Sequence, residues 1–160
     1  MKLKLIILLL VFFGWSVEAY PKSHGRHFVS PAKSTCLSRG GVWESIFGSC
    51  NASLSNAKKI CRASGGRIPT QHEFEKLIRS CGGTVHLDGR GDLSVNRNSW
   101  SYKRCYRDHG LDRTRNNYWT STKDKWDHEF RRTADIASGD FSFRDSSSKS
   151  AATNAVACIR

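Results

Sequence analysis

Residues Ala57–Thr70 read AKKICRASGGRIPT, and their order dictates a helix, a sharp corner and the start of a second helix. Leu54, Ala57, Ile60 and Cys61 form an apolar stripe at helical spacing. Ser53 or Ser55 precedes or opens this stripe, and either hydroxyl can accept one of the orphaned first-turn N–H groups as an N-cap. Gly65 and Gly66 end the helix, because glycine enters the left-handed conformation that closes a last turn. Pro69 then holds the preceding residue extended. Thr70 and Glu73 have capping-box spacing, and Phe74, Leu77, Ile78 and Cys81 continue as a second stripe that stops at Gly82 and Gly83. Each helix thus carries a cysteine on the face expected to be buried.

Downstream the periodicity shortens. Tyr118–Ser121, Trp126–Phe130, Phe141–Phe143 and Ala155–Ile159 have the length and aromatic or β-branched content of short strands. Helices followed by strands predict an α+β domain. Between them, Asp88–Asn117 is dominated by Gly, Asn, Ser, Asp and Arg. It reads as a long loop anchored by Trp100, Tyr102 and Tyr106, and loops of that length in a compact domain tend to be functional or disordered.

Upstream, Lys2 and Lys4 precede an apolar run from Leu5 to Phe13, and Val17 and Ala19 supply small residues for cleavage. Residues 1–19 are therefore expected to be a secretory signal, too short for a permanent span. Residues 20–35 are basic, contain Pro21 and Pro31, and read as a flexible lead-in. The folded domain is expected over 36–160. Losing Lys2, Lys4 and Glu18 changes the formal charge from +12 to +11, still a large positive excess for one small domain. The six cysteines, Cys36, Cys50, Cys61, Cys81, Cys105 and Cys158, all follow the signal. An even number in an exported chain predicts disulfides. With no C-x-x-C pair, neither a structural zinc site nor any cofactor is expected.

Four short series stand in order along the chain: the A-x-x-x-C helix from Ala57 to Cys61, the Gly65-Gly66-Arg67-Ile68-Pro69-Thr70 turn, Tyr118-Trp119-Thr120-Ser121-Thr122, and Val156-Ala157-Cys158-Ile159-Arg160. Together they resemble the bacterial C-type-lectin-like domains that end collagen-like adhesins and invasin- or intimin-type surface proteins. The resemblance covers most of residues 36–160. It implies two helices followed by short antiparallel strands, stapled by disulfides, with a binding site on the long loops. It also implies the pairs Cys61–Cys158, Cys36–Cys50 and Cys81–Cys105. The Glu-Pro-Asn or Gln-Pro-Asp and Trp-Asn-Asp triplets of calcium-dependent sugar binders are absent, so binding is expected to be independent of calcium, a hard cation that needs several converging oxygens.

The residues nearest to a ligand chemistry are basic. Lys103, Arg104, Arg107, Arg113, Arg115, Lys123, Lys125, Arg131 and Arg132 crowd into one stretch, interleaved with Tyr102, Tyr106 and Trp126 as aromatic support. Such a surface attracts polyanions, and the arginine fork matches sulfate, phosphate and carboxylate. The bland alternative is a solvated surface neutralised locally by Asp108, Asp112, Asp124, Asp127 and Glu129. Arg90-Gly91-Asp92 spells the integrin-recognition tripeptide in a glycine-flanked stretch. Asn51-Ala52-Ser53 is a glycosylation sequon, relevant only in a eukaryotic secretory pathway.

No catalytic constellation is evident. His72, His86, His109 and His128 fall in no catalytic spacing, and the absence of H-E-x-x-H removes a zinc protease. The function expected is an adhesin-like binding module, secreted or periplasmic or surface-associated. Its partner would be an anionic glycan or a protein on a host or neighbouring cell, without membrane insertion and with nucleic acid the less favoured polyanion. The alternatives are a small secreted hydrolase or nuclease-type toxin using two histidines and a lysine, and a periplasmic inhibitory protein. Two histidines facing one pocket would favour the enzyme, and a basic face without a pocket the binder.

Overall fold

The computed structural model describes residues 27–87, 94–111, 117–127, 129–145 and 153–160. The elements run β1 (Phe28–Val29), α1 (Lys33–Ser38), β2 (Val42–Glu44), β3 (Ser49–Ala52), α2 (Leu54–Ala63), α3 (Gln71–Ser80), α4 (Ser94–Asn98), α5 (Trp100–Asp108), β4 (Asn117–Lys123), β5 (Phe130–Asp135), β6 (Asp140–Asp145), β7 (Asn154–Ala155) and β8 (Cys158–Ile159). The α+β class follows. A six-stranded sheet has the order β2-β3-β7-β4-β5-β6, and β1 pairs with β8 in a second, two-stranded sheet. All pairings are antiparallel except β4 with β7. Among the described residues no helix is long and apolar enough to cross a membrane.

Both expected helices form where their caps place them. Ser53 accepts from the Asn56 amide at the start of α2, and Thr70 and Glu73 make the reciprocal capping box of α3. Arg67 grips the same Glu73 with both guanidinium nitrogens, at 2.6 and 2.8 Å. This bidentate contact raises the Arg67 pKa above its ordinary value.

The four sequence series are knitted to one another at this corner. Ser121 donates its amide to the Pro69 carbonyl at 2.8 Å, and Thr122 Oγ1 accepts from the Gln71 amide, one of the orphan donors of α3, at 2.9 Å. A bulge makes this reach possible: Thr120, Ser121 and Thr122 of β4 lie opposite Arg132 alone in β5. Arg67 and Ile159 exchange both backbone hydrogen bonds, and Arg160 donates to the Ser64 carbonyl. Gly66 is required here by proximity, since a Cβ would stand 2.5 Å from the Ile159 carbonyl oxygen.

Successive residues of a strand point to opposite faces. Tyr118 and Trp119 therefore enter two different cores. On one face Tyr118 joins Phe74, Ile78, Tyr102, Tyr106, Ile136 and Phe141; on the other Trp119 joins Leu54, Ile60, Ile68 and the half-cystines Cys36, Cys50, Cys61 and Cys158. The Trp119 indole N–H donates to the Ala52 carbonyl at 2.7 Å, so its one polar atom is satisfied in the core. The disulfides join Cys36 to Cys50, Cys61 to Cys158 and Cys81 to Cys105, as the resemblance implies.

The structure differs from the sequence expectation in four places. Phe28 and Val29, read as flexible lead-in, pair with Ile159 and Cys158, so the ordered fold reaches back before Cys36. The stretch read as a long loop contains α4 and α5, the latter capped by Ser99, whose hydroxyl accepts from the Tyr102 amide. The second expected strand, Trp126–Phe130, does not form: Trp126, Asp127 and Glu129 belong to a turn, and β5 begins at Phe130. Ala155–Ile159 splits into β7 and β8, which belong to different sheets.

Candidate functional site

The basic stretch is contiguous in sequence but divides in space. Lys103, Arg104 and Arg107 lie on α5, whose Tyr102 hydroxyl donates to the carbonyl of Ile136, just beyond the end of β5. Lys123, Lys125, Arg131 and Arg132 lie around the β4–β5 turn, at the start of β5. Thr133, Ala134 and Asp135 lie between Arg132 and Ile136, so the nearer cation of the turn stands about 13 Å along the strand from the anchor of α5, at some 3.3 Å per residue. Arg113 and Arg115 lie outside the described residues, as do Arg90, Gly91 and Asp92 and the signal segment 1–19.

Tyr102 and Tyr106 do not support a surface ligand. They are 1% and 2% exposed and pack edge to face in the core. Burial, the largest influence, pushes the Tyr102 phenol well above its ordinary pKa, with Tyr106 and Asp135 adding to it. The most exposed aromatic groups among the described residues are Trp126, 86% exposed, and Trp100, 66% exposed. Each has a cation over its ring: Lys125 Nζ at 5.0 Å from the Trp126 centroid and the Arg104 guanidinium at 5.6 Å from that of Trp100. Arg132 stacks on Phe143 at 3.8 Å and donates to the Leu87 carbonyl at 2.9 Å, so this cation is held in the structure.

The turn that presents Trp126 is fixed by its own carboxylates. Asp124 Oδ1 accepts from the Asp127 and Trp126 amides, each at 2.8 Å, and Asp127 Oδ1 accepts from the Glu129 amide at 2.8 Å. The backbone N–H groups of Asp127 and Trp126 hold the Asp124 carboxyl below the usual carboxylate range. Across residues 123–132 the four cations Lys123, Lys125, Arg131 and Arg132 face the three carboxylates of Asp124, Asp127 and Glu129, so the local excess is small. Among the described residues no group of carboxylates comes close enough together to hold a cation.

A second feature was not legible in the sequence. A cavity of about 490 Å³ lies between α3, the β1–β8 sheet and the end of α5. Phe28, Leu77 and Ile159 give it apolar walls, and His72, Lys76, Ser80 and His109 line it with polar groups. Helical spacing puts His72, Lys76 and Ser80 on one side of α3, but His109 arrives from a helix absent from the sequence expectation. His72 Nδ1 stands 3.7 Å from Glu75, and among the described residues no side-chain hydrogen bond orients His109. The other two histidines within the described residues serve the scaffold: the His86 backbone pairs with Gly139 and Phe141 and its Nε2 lies 3.2 Å from Thr84 Oγ1, and the His27 carbonyl accepts from the Arg160 amide at 3.1 Å. His128 lies outside the described residues.

The sequon is used structurally. Asn51 sits within β3 and donates to Glu44 at 3.0 Å, and Ser53 caps α2. Neither the known protein-family models, nor curated protein sequences, nor solved structures give a match to this chain.

Proposed function

We propose that this chain is an exported, calcium-independent binding module of the C-type-lectin-like kind, which takes an anionic glycan, or an acidic protein surface on another cell, at the β4–β5 turn. The observation that carries this reading is Trp126: a large aromatic ring, 86% exposed, beside Lys125 and held on a turn stiffened by Asp124. Exposed apolar rings cost solvation and gain most by stacking on a ligand face, while the ammonium beside the ring attracts the ligand's sulfate or carboxylate. Lys123 adds a cation at the same end of β4. The α5 group with Trp100, carried by a different element, is a second contact region. The three disulfides and the positive charge suit an oxidising compartment and an anionic partner. A glycan and polyanion array at two salt concentrations tests this. The unaltered protein retains sulfated or uronate-rich glycans at low salt and loses them at high salt, and K123A/K125A/W126A retains none. Equal retention by the variant would remove the turn as the site.

The cavity favours a second reading, a small hydrolase acting on phosphodiesters, in which His72 and His109 exchange protons and Lys76 stabilises developing negative charge. Both histidines and the lysine line one cavity, which is the arrangement that would distinguish an enzyme from a binder. The lack of an orienting partner for His109 among the described residues weighs against it. Cleavage of single-stranded RNA by the unaltered protein, abolished in both H72A and H109A, would establish this reading over the first.

A further inference from the structure

The three disulfides differ in access. Cys36, Cys50, Cys61 and Cys158 are 0–2% exposed, whereas Cys81 and Cys105 are both partly exposed. Cys81 is the C-cap residue of α3, and Cys105 and His109 are four residues apart on α5 and at its C-cap, which places them on one side of that helix. The two sulfurs and a ring nitrogen of His109 all lie within 4.8 Å of one another. While the sulfurs are bonded to each other they are not thiolate ligands.

We propose that Cys81–Cys105 is the disulfide that opens first to a dithiol reductant, and that the freed thiolates and His109 then form a site for a soft divalent metal, zinc being the best fit. The opening balances as ordinary exchange. One thiolate of the dithiol attacks the sulfur of Cys81 or Cys105, forming a mixed disulfide and expelling the other cysteine as a thiolate. The second thiol of the reagent displaces that mixed disulfide, so the protein gains two electrons and two protons and the dithiol becomes a cyclic disulfide. No comparable access exists at the four buried half-cystines.

The reduced ligands stay in place because α5 is anchored independently of the disulfide. Tyr102 and Tyr106 are core residues, the Tyr102 hydroxyl is bonded to Ile136, and Ser99 caps the helix. Zinc bonds of about 2.3 Å to sulfur and about 2.0–2.1 Å to nitrogen put tetrahedral ligand atoms within roughly 4 Å of one another. The imidazole nitrogen already lies within 4.8 Å of both sulfurs, and the sulfurs, about 2 Å apart while bonded, have to part by only about 2 Å, so the metal requires small side-chain shifts. Binding displaces the two thiol protons. Three protein ligands leave a fourth position for water or an anion, the arrangement of an open zinc site, and His109 also lines the cavity of about 490 Å³.

The test uses the whole exported chain. Limiting dithiol followed by alkylation and peptide mapping modifies Cys81 and Cys105 at least tenfold faster than any other cysteine. Cobalt(II), added anaerobically to this partly reduced protein, binds one equivalent and gives a thiolate-to-cobalt charge-transfer band with the d–d spectrum of a tetrahedral site. H109A lowers the cobalt affinity at least tenfold, and C81S/C105S, folded with its other two disulfides intact, gives no band. Early alkylation of Cys36, Cys50, Cys61 or Cys158, absence of the band in the partly reduced protein, or cobalt affinity unchanged by H109A would each overturn the proposal. The last result would mean that the thiolates bind as independent groups on a loosened chain.

Discussion

The two faces of the six-stranded sheet are held together by different means. Around Trp119 the core is made of aliphatic residues and four half-cystines, and two covalent links cross it. Around Tyr118 five buried aromatic rings are packed with aliphatic residues such as Leu77, Ile78, Leu111 and Ile136, with Phe74 5.0 Å from Phe28 and 6.0 Å from Tyr118 between centroids, and the third disulfide lies at its margin. A small domain buries little surface for its length, so either covalent restriction or large side chains must supply the deficit. This chain uses one on each face. The stapled face carries the terminal strand and α2, which are far apart in sequence; the aromatic face carries α3 and α5, which α5 reaches through Tyr102 and Tyr106 rather than through a buried bridge.

The largest effect should follow from opening the stapled face. Cys61 and Cys158 are separated by 97 residues, and a loop of that size is worth about 4.7 kcal/mol in the chain-entropy model. C61S/C158S is therefore expected to bring a domain of about 5–15 kcal/mol close to unfolding, measured by denaturant titration. On the other face F74A should cost about 3–5 kcal/mol, because a fully buried ring leaves a cavity among rings that cannot close over it. If F74A were tolerated within 1 kcal/mol, as an order of magnitude, the aromatic face would not be a core in its own right.

G139A sharpens the comparison at the join between α4 and the sheet. Gly139 has φ of 77°, and a Cβ there would stand 2.0 Å from the Thr84 carbonyl oxygen and 2.4 Å from the Asn96 amide nitrogen. Asn96 is buried and ties Thr84 to Ser138, at 2.7 and 2.8 Å through its side-chain N–H groups. The substitution should cost more than about 1 kcal/mol and increase amide exchange at Thr84 and Asn96. The smallest effect belongs to the surface: K123A/K125A should change stability by no more than about 0.5 kcal/mol while reducing polyanion binding. A larger loss would mean that these lysines hold the turn rather than a ligand.

The parts of this fold legible in the sequence are those fixed locally. Ser53, the Thr70–Glu73 box and the two glycine stops announce α2 and α3 because caps and stops act within a few residues. What escaped depends on distant partners. Phe28–Val29 is too short for a periodic pattern and becomes a strand only against Ile159 and Cys158. α5 has Tyr102 and Tyr106 at helical spacing behind Ser99, but its remaining positions are charged or polar, so the stripe is narrow. Trp126–Phe130 alternates like a strand, yet Asp124 and Asp127 capture its amides and bend it into a turn. The same difference governs the sites. Trp126 is exposed because of local turn chemistry, whereas the cavity joins His72 and His109 across a helix pairing that no local signal encodes.

The most direct test of the account is a chemical-shift titration of the isotope-labelled domain with a defined sulfated oligosaccharide. Binding at the β4–β5 turn predicts that the Trp126 indole N–H and the amides of residues 123–127 move first and together, that Trp100 follows only at higher ligand concentration, and that added salt reverses the shifts. Shifts concentrated instead at His72, Lys76 and His109, with Trp126 unmoved, would contradict it.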